Sequence, residues 1–479
     1  MIAKTMSLRG TMGKESFARA TRRMLSVALA LGLALTFPGC AAGKSDSSPE
    51  ERADLVVYLL EGRDTATQGI ANVESSLRQL AATFEDAEGL SVEVRVGIPA
   101  DSGVTADDAQ RALNASLLAG DGPDVIVLDG LPLDRMAQQG MLLNLADARD
   151  LLLGSDSFYE NILFGLGDAS DYAVPTSFSL PVIEGSENLL DRFTTASDLV
   201  ELVAVDPSAA EALGVDSGLS DLLAASYPAI VSHGTLDRRA LSAFLENADT
   251  LLKAAQANYD RCQIALGEGG GDYDAVEYGI DALTTTASSA SFSTCALFLD
   301  DATKLQIGSV DSWEVFGHLY LNQEETPYPC QFRPFRETNA TAFTPLGILG
   351  VSATSEHPEE SKRFIAHALA AEAQKNVQGI GIPVNETACD EFTRLWDGGY
   401  SILFAEEDGT TTEYRRDPLS PSEIEHCKEL IASADTASLP DRVVVEAMAD
   451  ALRDYSGGNA SLEETADAAA QKIDLYLKQ

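Results

Sequence analysis

Positive charge is scarce in this sequence: 33 Lys and Arg stand against 75 Asp and Glu, a formal net charge of −42. Residues 1–39 hold six of those bases and one acid, so the remainder is more acidic still, at 27 to 74. A chain of that sign repels phosphate backbones, and no basic patch offsets it, which excludes general nucleic-acid binding. Aromatic residues make up only 7%, with two tryptophans. The five histidines (His233, His318, His357, His367, His426) are scattered, and none forms HExxH. GxSxG and Walker loops are absent as well. The six cysteines contain no CxxC, and no nearby His completes a zinc set, so neither metal nor cofactor is expected. With 45% hydrophobic and 23% charged residues the composition is globular.

The longest uncharged apolar run is Met24 to Phe37, behind Lys and Arg residues. As a helix it would span ~21 Å, short of the ~30 Å hydrocarbon core. A basic region before a short apolar one reads as an export signal. The run ends at Pro38-Gly39-Cys40. Gly39-Cys40 resembles a bacterial lipobox, in which the cysteine is lipidated and becomes the mature N-terminus, although Phe37 and Pro38 depart from the pattern. Ala41 to Asp54, rich in Ser and charge, reads as a tether. Export permits disulfides among Cys262, Cys295, Cys330, Cys389 and Cys427, with at least one thiol left over.

Leu55 to Leu60 is continuously apolar, as in a strand buried on both faces. Ile70, Val73, Leu77, Leu80 and Phe84 then line one helix face, and Leu90, Val92, Val94 and Val96 alternate as in a strand. Thr105 with Asp108 predicts a helix start and Gly120 its end, before a buried strand at Val125 to Leu128. This β-α-β-α-β order predicts a mostly parallel, doubly wound α/β sheet. Ligands of such sheets sit beyond the carboxyl ends of the strands, where Glu61 and Asp129 fall. Each either faces that crevice or caps a following helix. Leu241, Phe244, Leu245, Ala248 and Leu252 form a helical stripe, and Ser461-x-x-Glu464 is a capping box. Gly267 to Gly271 lacks the third glycine of a phosphate loop, and Asp272-Tyr-Asp274 lacks EF-hand spacing; both read as surface loop.

Four blocks carry a family likeness. Asn114 to Asp129 (NASLLAGDGPDVIVLD) with Gly140 to Leu145, Tyr172 to Phe178 (YAVPTSF), Phe343 to Ser352 (FTPLGILGVS), and Ser361 to Asn385 with its closing GIPVN appear in that order. Together, from about residue 55 to 479, they resemble the extracellular solute-binding lipoproteins of ABC importers, family 1 type. The resemblance implies a type II periplasmic-binding fold, two doubly wound α/β lobes closing about a hinge on a solute, in a monomer. It divides the chain into a signal peptide (1–39), tether (40–54), lobe 1 (55–171), hinge crossing (172–182) and lobe 2 (183–335). A second crossing and lobe 1 return (336–380) and a helical lobe 2 segment (381–479) follow. The members most similar to this chain are maltose-type binders, which implies a carbohydrate ligand and a membrane permease partner.

Trp313, after the strand-like Leu305 to Val310, stands where such members place a sugar-stacking aromatic; the alternative is a packing role. Phe178 belongs either to the cleft wall or to the core. The expected site is therefore Glu61, Asp129, Phe178 and Trp313, with Asp129 and Trp313 reaching the solute from opposite lobes. Peptide or polyamine receptors of the same fold, and an exported carboxylate-dependent glycoside hydrolase, are the rival readings. If Cys40 carries the lipid, Cys40→Ser releases the protein from membranes or leaves the precursor uncleaved. Unchanged fractionation together with unchanged gel mobility refutes that assignment.

Overall fold

A computed structural model describes residues 53–478 except 62–72, 100–101, 215–217, 266–273, 285–304, 325–329, 376–380, 396–398 and 406–410. The signal and lipidation expectations at residues 1–40, the Gly267–Gly271 and Asp272 loop, and Cys295 lie outside the described residues. Among the described residues no helix is long and apolar enough to cross a membrane.

The first sheet begins with β1 (Leu55–Glu61), whose first six residues are all buried. It pairs in parallel with β2 (Val92–Ile98) and β3 (Val125–Val127), in the registers Val57↔Val94 and Val57↔Val125. β2 is the sheet edge, and of its residues only Val94 is buried, which accounts for the alternation seen in the sequence. Helix α1 (Val73–Glu88) buries Leu77, Ala81 and Phe84. Helix α2 (Ala106–Ala119) starts where predicted: Thr105 accepts a hydrogen bond from the Asp108 amide, and Gly120 closes the helix at φ 78°. The full order is β2-β1-β3-β11-β4, with β4 (Ala173–Val174) and the late strand β11 (Leu349–Val351) joined antiparallel.

The second sheet is organised by β5 (Ser177–Gly185), nine residues buried throughout. Its first residues pair with β10 (Ala342–Leu346) and β12 (Ile382–Pro383). Its remainder pairs with β8 (Leu305–Val310) and β9 (Gln331–Pro334), and β15 (Thr436–Ala437) adds to β10. Two short strands, β6 (Val231–Ser232) and β7 (Thr235–Leu236), form a separate hairpin, and β13 (Tyr400–Ala405) and β14 (Thr411–Arg416) follow later. Helices α3 (Leu219–Ile230), α4 (Arg238–Ala265), α9 (Arg442–Ser456) and α10 (Leu462–Leu477) share one core. The predicted stripe of α4, Leu241 to Leu252, is buried there. The Ser461–Glu464 capping box opens α10 as its spacing predicts. Helices α5 (Trp313–Glu324), α6 (Pro358–Leu369), α7 (Glu386–Leu395) and α8 (Pro421–Ala432) contribute instead to a core shared with Leu55 and Phe84.

These are two α/β lobes joined by chain crossings, the arrangement implied by the sequence resemblance. The chain passes from the first sheet to the second at 175–176 and returns at 347–348. The crossings touch: the Thr176 amide lies 3.2 Å from both the Leu346 and Gly347 carbonyl oxygens. Gly347 sits at φ 58°, and a Cβ there would fall 2.2 Å from Thr176 Oγ1, so only glycine fits.

The closing GIPVN block has a physical meaning. Asn385 is fully buried, and its Oδ1 accepts the Thr387 and Ala388 amides at the start of α7. Its Nδ2 donates to the Leu369 carbonyl at 3.1 Å and to Asp156 Oδ2 at 2.8 Å. One side chain thus caps one helix and ties down the end of another. Asn385→Ala removes the cap and leaves a buried carbonyl short of a partner, so it should cost about 2–4 kcal/mol. Urea unfolding of the variant measures this; a midpoint equal to wild type contradicts the account.

Candidate ligand cleft

Between the lobes lies a cleft of ≈ 200 Å³ at the carboxyl ends of β1 and β3. One wall is Leu59 to Glu61 with Leu128 to Leu131, and the other is the start of α3, the end of β8 and the segment Ser438–Arg442. The surface is mostly apolar, eight of its lining residues being leucine, and no aromatic ring lines it among the described residues. The polar groups are few. Glu61 ends β1, so the strand direction aims it across the cleft, where its Oε2 lies 3.6 Å from Arg442 Nη2. Arg442 also approaches Glu446 at 3.5 Å, and its amide donates to the Gly130 carbonyl at 2.9 Å. Arg442 therefore holds α9 of one lobe against the β3 end of the other.

Asp129 follows β3 and faces the crossing rather than a helix. Its Oδ1 accepts the Gly347 amide at 2.9 Å and its Oδ2 the Ile348 amide at 2.8 Å. Burial pushes its carboxyl up to about 6, against the pull of those two amides. The helix-capping alternative is replaced by a turn-capping one, because β11 returns beside β3 and brings two unpaired amides to that spot. Across the cleft, Asp221 in the first turn of α3 accepts a hydrogen bond from Ser309 Oγ. Asp311, directly after β8, is also raised to about 6 by burial, countered by its own amide and Ser312.

The structure brings Glu61 and Asp129 together in one wall and places Phe178 and Trp313 elsewhere. Trp313 is 2% exposed; its Nε1 donates to Cys389 Sγ at 2.9 Å and its ring packs on Phe316. It is the first residue of α5, and the turn at Asp311–Ser312 sends its side chain back under the sheet. Phe178 is fully buried because β5 is covered on both faces, and its ring meets Tyr159 edge-on. Sequence reasoning missed Asp311, although the strand-end rule that selected Asp129 applies equally to it. Ser438 and Arg442 follow no strand of readable length, and Asp221 lies in a helix start without a cap signal. Cys389 and Cys427 are buried free thiols, so the anticipated bridging does not involve them. Burial raises the Cys389 thiol to about 11.

A second cavity of ≈ 500 Å³ shares Leu131 and Leu439 with the cleft, so these two leucines form the partition. Behind it runs a buried polar chain between the lobes. The Tyr476 hydroxyl of α10 lies 2.6 Å from Gln110 Oε1 of α2 and 2.7 Å from Asp441 Oδ2. Tyr227 accepts the Asp441 amide at 2.9 Å, and Arg135 Nη1 donates to the Tyr476 carbonyl at 2.8 Å. Asp441 is raised to about 6 by burial.

Asp129, Asp311 and Asp441 all bind protons more tightly folded than unfolded, where carboxyls titrate near 3.8. Their contribution is full below about pH 4 and lost as pH rises through about 6. The carboxyls shifted the other way, Asp54, Asp198, Asp206, Glu423 and Glu464, are ionised in both the folded and the unfolded chain above pH 5, so their contribution does not change between pH 5 and 7.5. The urea midpoint should therefore be higher at pH 5 than at pH 7.5, and Asp441→Asn should narrow the difference. A midpoint that rises from pH 5 to 7.5 contradicts this.

No protein-family model matches the chain, and no curated protein matches it. Solved structures do. A solute-binding protein of an ABC transporter from Thermotoga lettingae, bound with α-D-tagatose, is 14% identical at TM-score 0.49, covering 88% of this chain and 99% of that one. The GacH receptor of Streptomyces glaucescens, solved unliganded and with acarbose, is 14% identical at TM-score 0.46, covering 89% and 98%. A de novo designed esterase matches at 13% identity and TM-score 0.45, covering 88% and 98%.

Proposed function

We propose that this chain is an extracytoplasmic solute-binding protein that captures a small carbohydrate between its lobes and delivers it to an ABC importer. A lipid on Cys40 and the tether after it hold the receptor at the outer face of the membrane. The observation that carries the reading is the cleft itself, sited at the carboxyl ends of β1 and β3 and walled by both lobes. Two chain crossings beside it supply a hinge. The ordered sequence blocks supply the link to import.

Leucine surface suits the C–H faces of a sugar, and sparse polar groups suit its hydroxyls. Glu61 accepts from a hydroxyl beside its Arg442 partner. Asp129 keeps a second lone pair on each oxygen after its two amide bonds, so it can accept from the ligand too. Asp129 also holds the crossing through its two amide bonds.

A thermal-shift screen of sugars, peptides and polyamines tests the class of solute. A ligand at 100 Kd adds ~2.7 kcal/mol of stability, which such a screen resolves. A labelled oligosaccharide that binds should be recovered intact; its cleavage would favour the hydrolase reading. A bound sugar should also reduce the radius of gyration in small-angle scattering, and a sugar panel without any stabilising member removes the carbohydrate assignment.

A further inference from the structure

The buried polar chain that links the lobes has one acceptor too many for an ionised Asp441. The Tyr476 hydroxyl lies 2.7 Å from Asp441 Oδ2 and 2.6 Å from Gln110 Oε1. Both neighbours are acceptor oxygens, and a phenol has a single hydrogen to give. The Gln110 amide is oriented by its Nε2, which donates to the Gly130 carbonyl at 3.4 Å. Turned over, it would set two carbonyl oxygens against each other. Gln110, Asp441 and Tyr476 are all buried, so an acceptor left without a hydrogen there is costly.

The array is satisfied when Asp441 is itself protonated. Its Oδ2–H then donates to the Tyr476 oxygen, and the Tyr476 hydrogen goes to Gln110. Asp441 Oδ1 stays with the Val443 amide at 3.0 Å, as the N-cap of α9. Gln110 belongs to α2 of the first lobe, whereas Asp441 and Tyr476 belong to the C-terminal helices of the other. Parting the lobes takes Gln110 away and leaves the Tyr476 hydrogen for an ionised Asp441. The two arrangements therefore differ by a proton.

The surroundings agree with this count. Burial pushes the Asp441 carboxyl up to about 6, although Tyr476, the Val443 amide, Arg135 and Gln110 pull it down. Arg135, in the short helix Leu133–Gln138, places its guanidinium 4.4 Å over the Tyr476 ring. Tyr227 of α3 accepts the Asp441 amide, and Asp134, Asp168, His233 and Asp435 line the cavity that Asp441 also lines.

We propose that Asp441 is a proton-operated latch between the lobes. Protonated, it completes the Tyr476–Gln110 contact and favours the closed arrangement; ionised, it claims the Tyr476 hydrogen and frees Gln110. Closing is thus linked to proton uptake. The pull towards the closed form is full below about pH 4 and lost as pH rises through about 6. A solute held by closure would leave faster at pH 7.5 than at pH 5. That consequence rests on the receptor reading above, whereas the latch itself does not depend on any solute.

Small-angle scattering and carboxyl-carbon NMR on the full, solute-free chain test this. The radius of gyration of the wild type should be larger at pH 7.5 than at pH 5. Asp441→Asn keeps the α9 cap through its oxygen and donates to Tyr476 through its amide, so it mimics the protonated acid and should abolish the difference. Gln110→Ala lacks the far partner and should abolish it as well, which serves where the Asn variant does not fold. In aspartate-labelled protein the resonance lost in Asp441→Asn identifies Asp441. Gln110→Ala leaves the Tyr476 hydrogen to the carboxylate, so it should lower the midpoint of that resonance by about one pH unit. A midpoint unmoved or raised by Gln110→Ala overturns the proposal, as does a wild-type radius equal at both pH values. A radius that changes equally in wild type and Asp441→Asn assigns the effect to other groups and overturns it too. Each of these failures leaves the receptor reading intact.

Discussion

The carboxylate of Asp129 is the contact on which the two-lobed arrangement turns. Both of its oxygens are spent on the amides of Gly347 and Ile348, at the point where the chain returns to the first sheet. The same turn accepts the Thr176 amide from the outgoing crossing, and the Leu128 amide donates to the Ile348 carbonyl at 2.7 Å. Three segments far apart in sequence are thus bound at one spot. Because an ionised carboxylate accepts hydrogen bonds more strongly than a neutral group, this clasp tolerates its partial burial. Gly347 completes it by leaving room for Thr176.

From that clasp the cleft follows. Fixing the two crossings fixes the angle at which β8 and α3 face the ends of β1 and β3, and so fixes which side chains meet. Arg442 and Tyr476 then span the gap on either side of the Leu131–Leu439 partition. Each joins a C-terminal helix to the first lobe through a backbone or buried polar partner. The geometry is held through backbone amides and carbonyls and a buried polar chain behind the partition, so the cleft wall can be mostly apolar with a few directed acids.

Much of this was legible from residue pattern. The apolar run of β1, the Thr105 and Ser461 caps and the stripe of α4 each rest on local rules, and each lies where those rules put it. Glu61 and Asp129 were readable because a strand's end fixes where its next residue points. What escaped was whatever depends on tertiary partners. Trp313 sits beside the cleft in sequence, yet the direction of a helix's first side chain depends on the turn before it, and the sulfur of Cys389 receives its indole N–H. The paired amides that occupy Asp129 come from a segment 218 residues away, which no spacing rule reaches. Arg442 and Ser438 enter the cleft on short connections that carry no periodic signal.

The contact between the Arg442 amide and the Gly130 carbonyl has a consequence for kinetics. Parting of the lobes would break that bond and the Tyr476–Gln110 contact on the far side. For the receptor proposed above, residence time would then be set partly by bonds within the protein rather than to the solute. Two receptors with identical cleft walls but different residues at 110 or 476 would hold the same solute for different times. The rate at which a permease could be supplied would be tuned from outside the binding site, without altering which solute is chosen.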